Sequence, residues 1–132
     1  MADAVTSQTL QDGDKVAVMK FTNISDGSGE SAVKKVDVSA LQTQSGSDAA
    51  CTGVTIDCIW YECSGMSVDL LWDASTDVIA WTLSGYGYFD FRSAGPLVNN
   101  ASSPTGDIMF TTTGAGSGDR YAIMLKMTKS YE

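Results

Sequence analysis

The chain contains no histidine. That removes the Ser-His and Cys-His nucleophile pairs and the side chain most used for proton transfer near neutral pH. Cysteine is scarce: Cys51, Cys58 and Cys63 are separated by six and four residues, so there is no C-x-x-C. A three-cysteine zinc site would need a fourth ligand. The thiols are expected to be reduced, buried and to act as small hydrophobes. The opening MADAVTSQTLQDGD has neither a basic n-region nor an apolar h-region, so secretion is not expected and a cytosolic origin is. Basic residues are half as many as acidic ones, 8 against 16, for a formal net charge of −8. No basic cluster exceeds Lys34-Lys35. A surface of that sign repels phosphate backbones and anionic bilayers, so neither nucleic acid nor membrane is an expected partner. No window approaches the roughly 18 apolar residues of a membrane-spanning helix.

Hydrophobic residues make up 43% of 132 positions, enough for the core of one domain. Proline is rare, and glycine falls between apolar runs where turns would be, which suits many short strands. Residues 1–14 are polar and read as a flexible arm, with one domain over 15–132. Runs at Val16–Phe21 and Ala32–Val38 read as strands, the lysines of the second suiting a sheet edge. In Val54–Cys63, Val54, Ile56, Cys58 and Trp60 share a face by strict alternation. Met66, Val68, Leu70 and Trp72 do so in the next run. Asp77–Leu83, Tyr86–Phe91, Asp107–Thr113 and Asp119–Ser130 complete about eight strands. The links are too short for crossover helices, so the expected fold is all-β, an antiparallel β-sandwich or jelly roll. Trp72, Leu70, Val68, Ile123 and Leu125 are the expected core.

Several stretches invite a chemical reading. Asn23–Glu30 holds D-G-S-G-E, but no register meets the ligand positions of a calcium-binding loop, and a solvated turn fits better. Gly114–Asp119 (GAGSGD) lacks the lysine and following helix of a phosphate loop, which leaves a hairpin turn. Asp69, Asp73 and Asp77 fit solvated charges better than a glycosidase pair. Trp60, Trp72, Trp81, Tyr86, Tyr88, Phe89 and Phe91 make the middle rich in aromatics. Carbohydrate-binding β-sandwiches use exposed aromatics in this way, but Trp60 and Trp72 fall on apolar faces, where core packing is the simpler expectation. The residues therefore assign no catalytic, cofactor-binding or metal-ligating role, and the chain is expected to bind a partner and not to be an enzyme.

VAVMKFTNISDGSGESAVKKVDVSAL at 16–41, with MSVDLLWDASTDVIAWTLSG, FDFRSAGPLVNN and TGDIMFTTTGAGSGDRYAIMLKMTKS within 66–130, resembles the small structural proteins encoded near the major capsid gene of tailed bacteriophages. Ser25-Asp26-Gly27-Ser28-Gly29-Glu30, Trp72-Asp73-Ala74, Asp90-Phe91-Arg92 and Thr105-Gly106-Asp107-Ile108 carry the resemblance. It implies a capsid decoration or cement protein: a β-rich virion module, made in the host cytoplasm, that docks on the outer shell. The implied partners are the major capsid protein and further copies of itself, as a homotrimer over three-fold and quasi-three-fold positions. Alternatives are a head–tail or tail component, and a carbohydrate-binding β-sandwich.

Overall fold

The computed structural model describes residues 4–27, 29–46, 49–93, 95–102 and 104–131. It consists of β1 (Ala4–Asp12), β2 (Val16–Asp26), β3 (Val33–Val36), β4 (Gly53–Ala74), β5 (Val78–Asp90), β6 (Pro104–Thr113) and β7 (Ser117–Ser130), with one 3-10 turn at Val38–Ala40. Every pairing is antiparallel. The all-β expectation therefore holds, with seven strands among the described residues in place of about eight.

The difference lies in one gain and two mergers. Val54–Cys63 and Met66–Asp73 are parts of the single 22-residue strand β4, and Asp77–Leu83 and Tyr86–Phe91 are parts of β5. Ser64-Gly65 and Ser84-Gly85 are not hairpin turns but the places where this two-stranded ribbon bends. The β4–β5 register shifts between Glu62 and Ser67. Gly65 sits at φ +82°, where a side chain is strained and would run into the Asp119 carboxylate. Through Gly53–Ser64, β4 pairs with β7; from Ser67 onward it pairs with β6 instead. One half-sheet thus runs β1-β2-β7-β4-β5 and the other β3-β6-β4-β5, with the bent ribbon common to both. Strands that pass between layers at a bulge or bend are a known way to build a sandwich corner.

The inward faces meet in one core. Phe21 on β2 and Phe110 on β6 touch edge to face with ring centroids 5.2 Å apart, and Phe110 meets Tyr121 of β7 at 5.8 Å. Val68, Leu70, Trp72, Ile123 and Leu125 are all buried, as their alternation predicts.

The arm expected over residues 1–14 lies in part, at residues 1–3, outside the described residues, and its remainder is paired. Ala4–Asp12 pairs along β2 and is the edge strand β1. Thr6, Ser7, Gln8, Thr9, Leu10 and Gln11 are all exposed. Over Thr6–Gln11 there is no buried face and so no alternation to read, and the pairing answers to the unmet backbone groups of β2. Part of the segment expected as a flexible arm is thus a strand of the sheet. Asp12 then anchors that end. The Lys129 ammonium, fully buried, donates to Asp12 Oδ1 at 2.6 Å, to the Gly13 carbonyl at 2.9 Å and to the Gln42 carbonyl at 2.8 Å. Burial is the largest influence and opposes the Lys129 charge, but the hydrogen bonds and charges of Asp12 and Tyr131 together outweigh it and raise the Lys129 pKa.

β3 is an edge strand, paired only with β6. Its two lysines behave differently. Lys34 reaches out to Asp107 at 3.0 Å, whereas the Lys35 ammonium is buried against Glu30 at 2.6 Å. Glu30 also accepts from the Tyr121 hydroxyl at 2.7 Å, which fastens the β2–β3 loop to β7.

Leu125 is fully buried on β7. Leu125→Ala should lower unfolding stability by about 2–5 kcal/mol, the lost transfer energy plus the cavity left behind. Urea denaturation tests this, and a loss under about 0.5 kcal/mol would contradict the packing described.

Candidate functional site

Asp57 decides which side chains leave the core. The β4–β7 register shifts between Ile56 and Cys58, so Asp57 is the extra residue of a β-bulge. Its side chain accepts from Thr128 Oγ1 at 2.6 Å, and its carbonyl accepts from the Phe91 amide at 2.8 Å. Side chains alternate along a strand, so one inserted residue exchanges the two faces. Val54 and Ile56 point inward before the bulge, and Ile59 and Cys63 do so after it. Trp60 is thereby turned outward. The expectation that Val54, Ile56, Cys58 and Trp60 share one face is wrong for the last two, because it assumed unbroken alternation.

Trp60 lies in a row across four strands, Lys20–Met124–Trp60–Tyr88. One step away lies Thr22–Ala122–Glu62–Tyr86, and on the other side Val18–Lys126–Cys58–Asp90. The Trp60 and Tyr88 rings stack with centroids 4.9 Å apart and planes 22° from parallel. Tyr86 is 84% exposed and Tyr88 47% exposed. Lys20, Trp60, Glu62, Tyr86, Tyr88 and Met124 line a shallow depression of about 570 Å³, and a second of about 490 Å³ adjoins it across Glu62 and Ala122, reaching Arg120 and Ser64.

A polar chain holds Tyr88 in place. Its hydroxyl donates to Cys58 Sγ at 3.7 Å, and Cys58 Sγ lies 3.8 Å from Asp90 Oδ1. Arg92 grips Asp90 through Nε at 2.9 Å and Nη2 at 2.7 Å, a two-point contact that holds the Asp90 carboxyl well below the usual carboxylate range. The hydrogen bond to Cys58, with burial and the Asp90 charge, raises the Tyr88 pKa. Tyr88 therefore stays a neutral hydrogen-bonding phenol across the physiological range.

The other aromatics do not join this face. Trp72 is core. Trp81, Phe89 and Phe91 cluster with Tyr61 on the opposite side of the β4–β5 ribbon: Trp81 meets Phe89 at 5.3 Å and Phe91 at 5.0 Å, and Tyr61 stacks on Phe89 at 5.6 Å. Most of the remaining candidates have structural partners. Glu30 of the D-G-S-G-E stretch is taken by Lys35 and Tyr121. Asp119 of GAGSGD accepts from the Gly116 amide at 2.8 Å and closes the β6–β7 turn. Asp73 accepts from Thr105 Oγ1 at 3.0 Å, and Asp77 from the Ala74 amide at 3.2 Å. Among the described residues no three His, Cys, Asp or Glu side chains converge as metal ligands. Cys51, Cys58 and Cys63 are free thiols and all are buried, as their composition predicts.

An open, shallow face with stacked and projecting rings, ringed by ammonium, carboxylate and hydroxyl groups, can bind a flat-sided polar ligand by ring stacking and hydrogen bonds. It offers no activated nucleophile. Nothing in the sequence marks Lys20, Glu62, Met124 and Lys126 as members of one site; they meet through the sheet register.

No protein-family model matches the sequence, and no curated protein sequence matches it significantly. Solved structures do match in fold. A carbohydrate-binding module of family 29 superposes with a TM-score of 0.53 at 12% identity, covering 95% of this chain and 88% of that one. A variant of such a module complexed with mannohexaose gives 0.53 at 14% identity, covering 98% and 93%. A second variant, from work on ligand recognition, gives 0.51 at 13% identity, covering 95% and 91%. At these identities the likeness is one of fold, and the fold is that of a β-sandwich.

Burial pushes the Cys63 thiol up to about 11 from an ordinary 9.0, with the Glu62 charge adding to it. The unfolded chain releases this proton first, so stability should fall as pH rises from about 9 toward about 11. Comparing urea midpoints of the native protein and Cys63→Ala across that window checks this. Equal slopes in the two proteins would contradict the burial assigned to Cys63.

Proposed function

We propose that the protein is a non-catalytic carbohydrate-binding domain and that the outer face around Trp60, Tyr86 and Tyr88 is its binding surface. The observation that carries this reading is the outward turn of Trp60 at the Asp57 bulge. It sets a stacked Trp60–Tyr88 pair beside a Tyr86 ring that is 84% exposed. Pyranose rings present apolar C–H faces to aromatic planes and hydroxyls to their rims, and this face supplies both kinds of partner. The β-sandwich fold, of the kind found in the family 29 modules, supports the reading.

We also propose, from the sequence resemblance, that the domain is carried on a phage virion as a self-associating capsid decoration protein. An exposed sheet edge favours contact with a neighbour. β5 pairs only with β4, and Asp90 is the one charged residue in its 13. An edge that long without lysine or proline is not protected against strand pairing. Add-back of purified protein to expanded capsids lacking it tests this role. Saturable binding that delays DNA release supports it, and localisation to the tail overturns it.

For the carbohydrate reading, a glycan array probed with native protein, Trp60→Ala and Tyr86→Ala is the direct test. The native protein should bind a defined group of oligosaccharides. Each variant should lose affinity by about tenfold or more, with its thermal midpoint little changed because the side chain lies outside the core. Undiminished binding by Trp60→Ala would remove this face as the site.

A further inference from the structure

Charge is distributed unevenly over the molecule. Four basic side chains are held in ion pairs: Lys34 with Asp107, Lys35 with Glu30, Arg92 with Asp90, and Lys129 with Asp12. Lys15, Lys20, Arg120 and Lys126 carry no ion pair among the described residues. Three of these four stand on the same outer face as Trp60. Lys20 is directly across from Met124 in the Trp60 row, Lys126 is across from Cys58, and Arg120 is across from Ser64. Arg120, Ala122, Met124 and Lys126 alternate along β7, so the line from Arg120 to Lys126 spans about 20 Å at the rise of a strand. Glu62 stands in the middle of this face, and Asp90 at its margin is neutralised by Arg92. On the other half-sheet the side chains turned away from the core include Asp69 and Asp73. A chain of net charge −8 thus gathers its uncommitted cations beside its exposed aromatics.

We propose that the ligand of this face is an anionic glycan, one whose carboxylate or sulfate groups are met by Lys20, Arg120 and Lys126 while its rings stack on Trp60 and Tyr86. This rests on the carbohydrate-binding reading above. Uncommitted ammonium and guanidinium groups are not required to bind neutral hydroxyls, whereas spaced anions gain from each of them. A glycan is favoured over nucleic acid because its charges are spaced and its rings offer C–H faces. A continuous phosphate backbone leaving the stripe would meet the acidic remainder of the surface.

The test is an array holding neutral, carboxylated and sulfated members of the same backbones, with oligothymidine alongside. It is probed with native protein, Trp60→Ala and the triple variant Lys20→Gln, Arg120→Gln, Lys126→Gln. All three cation sites lie outside the core, and circular dichroism with thermal melting confirms that the variants fold. Native protein should bind carboxylated or sulfated members and leave their neutral counterparts unbound, and the pattern of hits separates the two anions. The triple variant should lose about tenfold or more in affinity, and raising salt from about 50 mM to about 200 mM should weaken native binding in the same direction. Trp60→Ala should also lose binding. Binding of neutral glycans that the triple variant retains would overturn the inference and leave the carbohydrate reading standing. Oligothymidine bound as tightly as any glycan would overturn it in favour of a general polyanion site. A native protein that binds no glycan would overturn both.

Discussion

The alternation of side chains along a strand is the constraint on which this molecule turns, and β4 breaks it twice. Val54 and Ile56 face the core, Asp57 adds one residue, and Ile59 and Cys63 then face the core in the opposite phase. At Gly65 the phase reverses again, so that Met66, Val68, Leu70 and Trp72 point inward. The second break also moves β4 from one layer to the other, since its partner changes from β7 to β6. Between the breaks lies the segment that carries Cys58, Trp60 and Glu62 outward. The sandwich corner and the candidate binding face are thus two outcomes of the same pair of irregularities.

The ends of the sandwich are held by buried charge, which leaves the outer face free of structural duty. Lys129 ties the β1–β2 turn to the loop at Gln42, and Glu30 with Lys35 and Tyr121 ties down the β2–β3 loop. Such pairs contribute little over an apolar replacement, but removing one partner is costly because the other remains buried and charged. Three of the four cations left over gather around Trp60, where the Arg92–Asp90–Cys58–Tyr88 chain fixes one ring of the platform against another.

Much of the fold was legible because long stretches obey a period of two. Met66–Trp72 and Tyr121–Met127 announced their buried faces, and all five expected core residues are buried. β1 was not legible: it is polar on both sides and owes its order to the backbone of β2. Nor could a reading by alternation see that Ser64-Gly65 and Ser84-Gly85 bend a ribbon, since a glycine-containing pair suits a tight turn equally well. The site was half visible. The aromatic composition of the middle segment was plain, and Trp72 was placed correctly in the core. Alternation predicts Trp60 there too, because an aspartate in an apolar run gives no local sign that it is a bulge; the sign is the pairing with β7. Lys20, Arg120 and Lys126 come from two strands about a hundred residues apart and meet only through that sheet register.

The central claim is that Trp60 faces outward while Trp72 is buried. A protein that keeps only Trp60, made with Trp72→Phe and Trp81→Phe, reports this through acrylamide quenching of its fluorescence. The account predicts red-shifted emission that acrylamide quenches readily, and protection from quenching when a bound glycan covers the ring. Blue-shifted emission that acrylamide barely reaches would place Trp60 in the core and contradict the account.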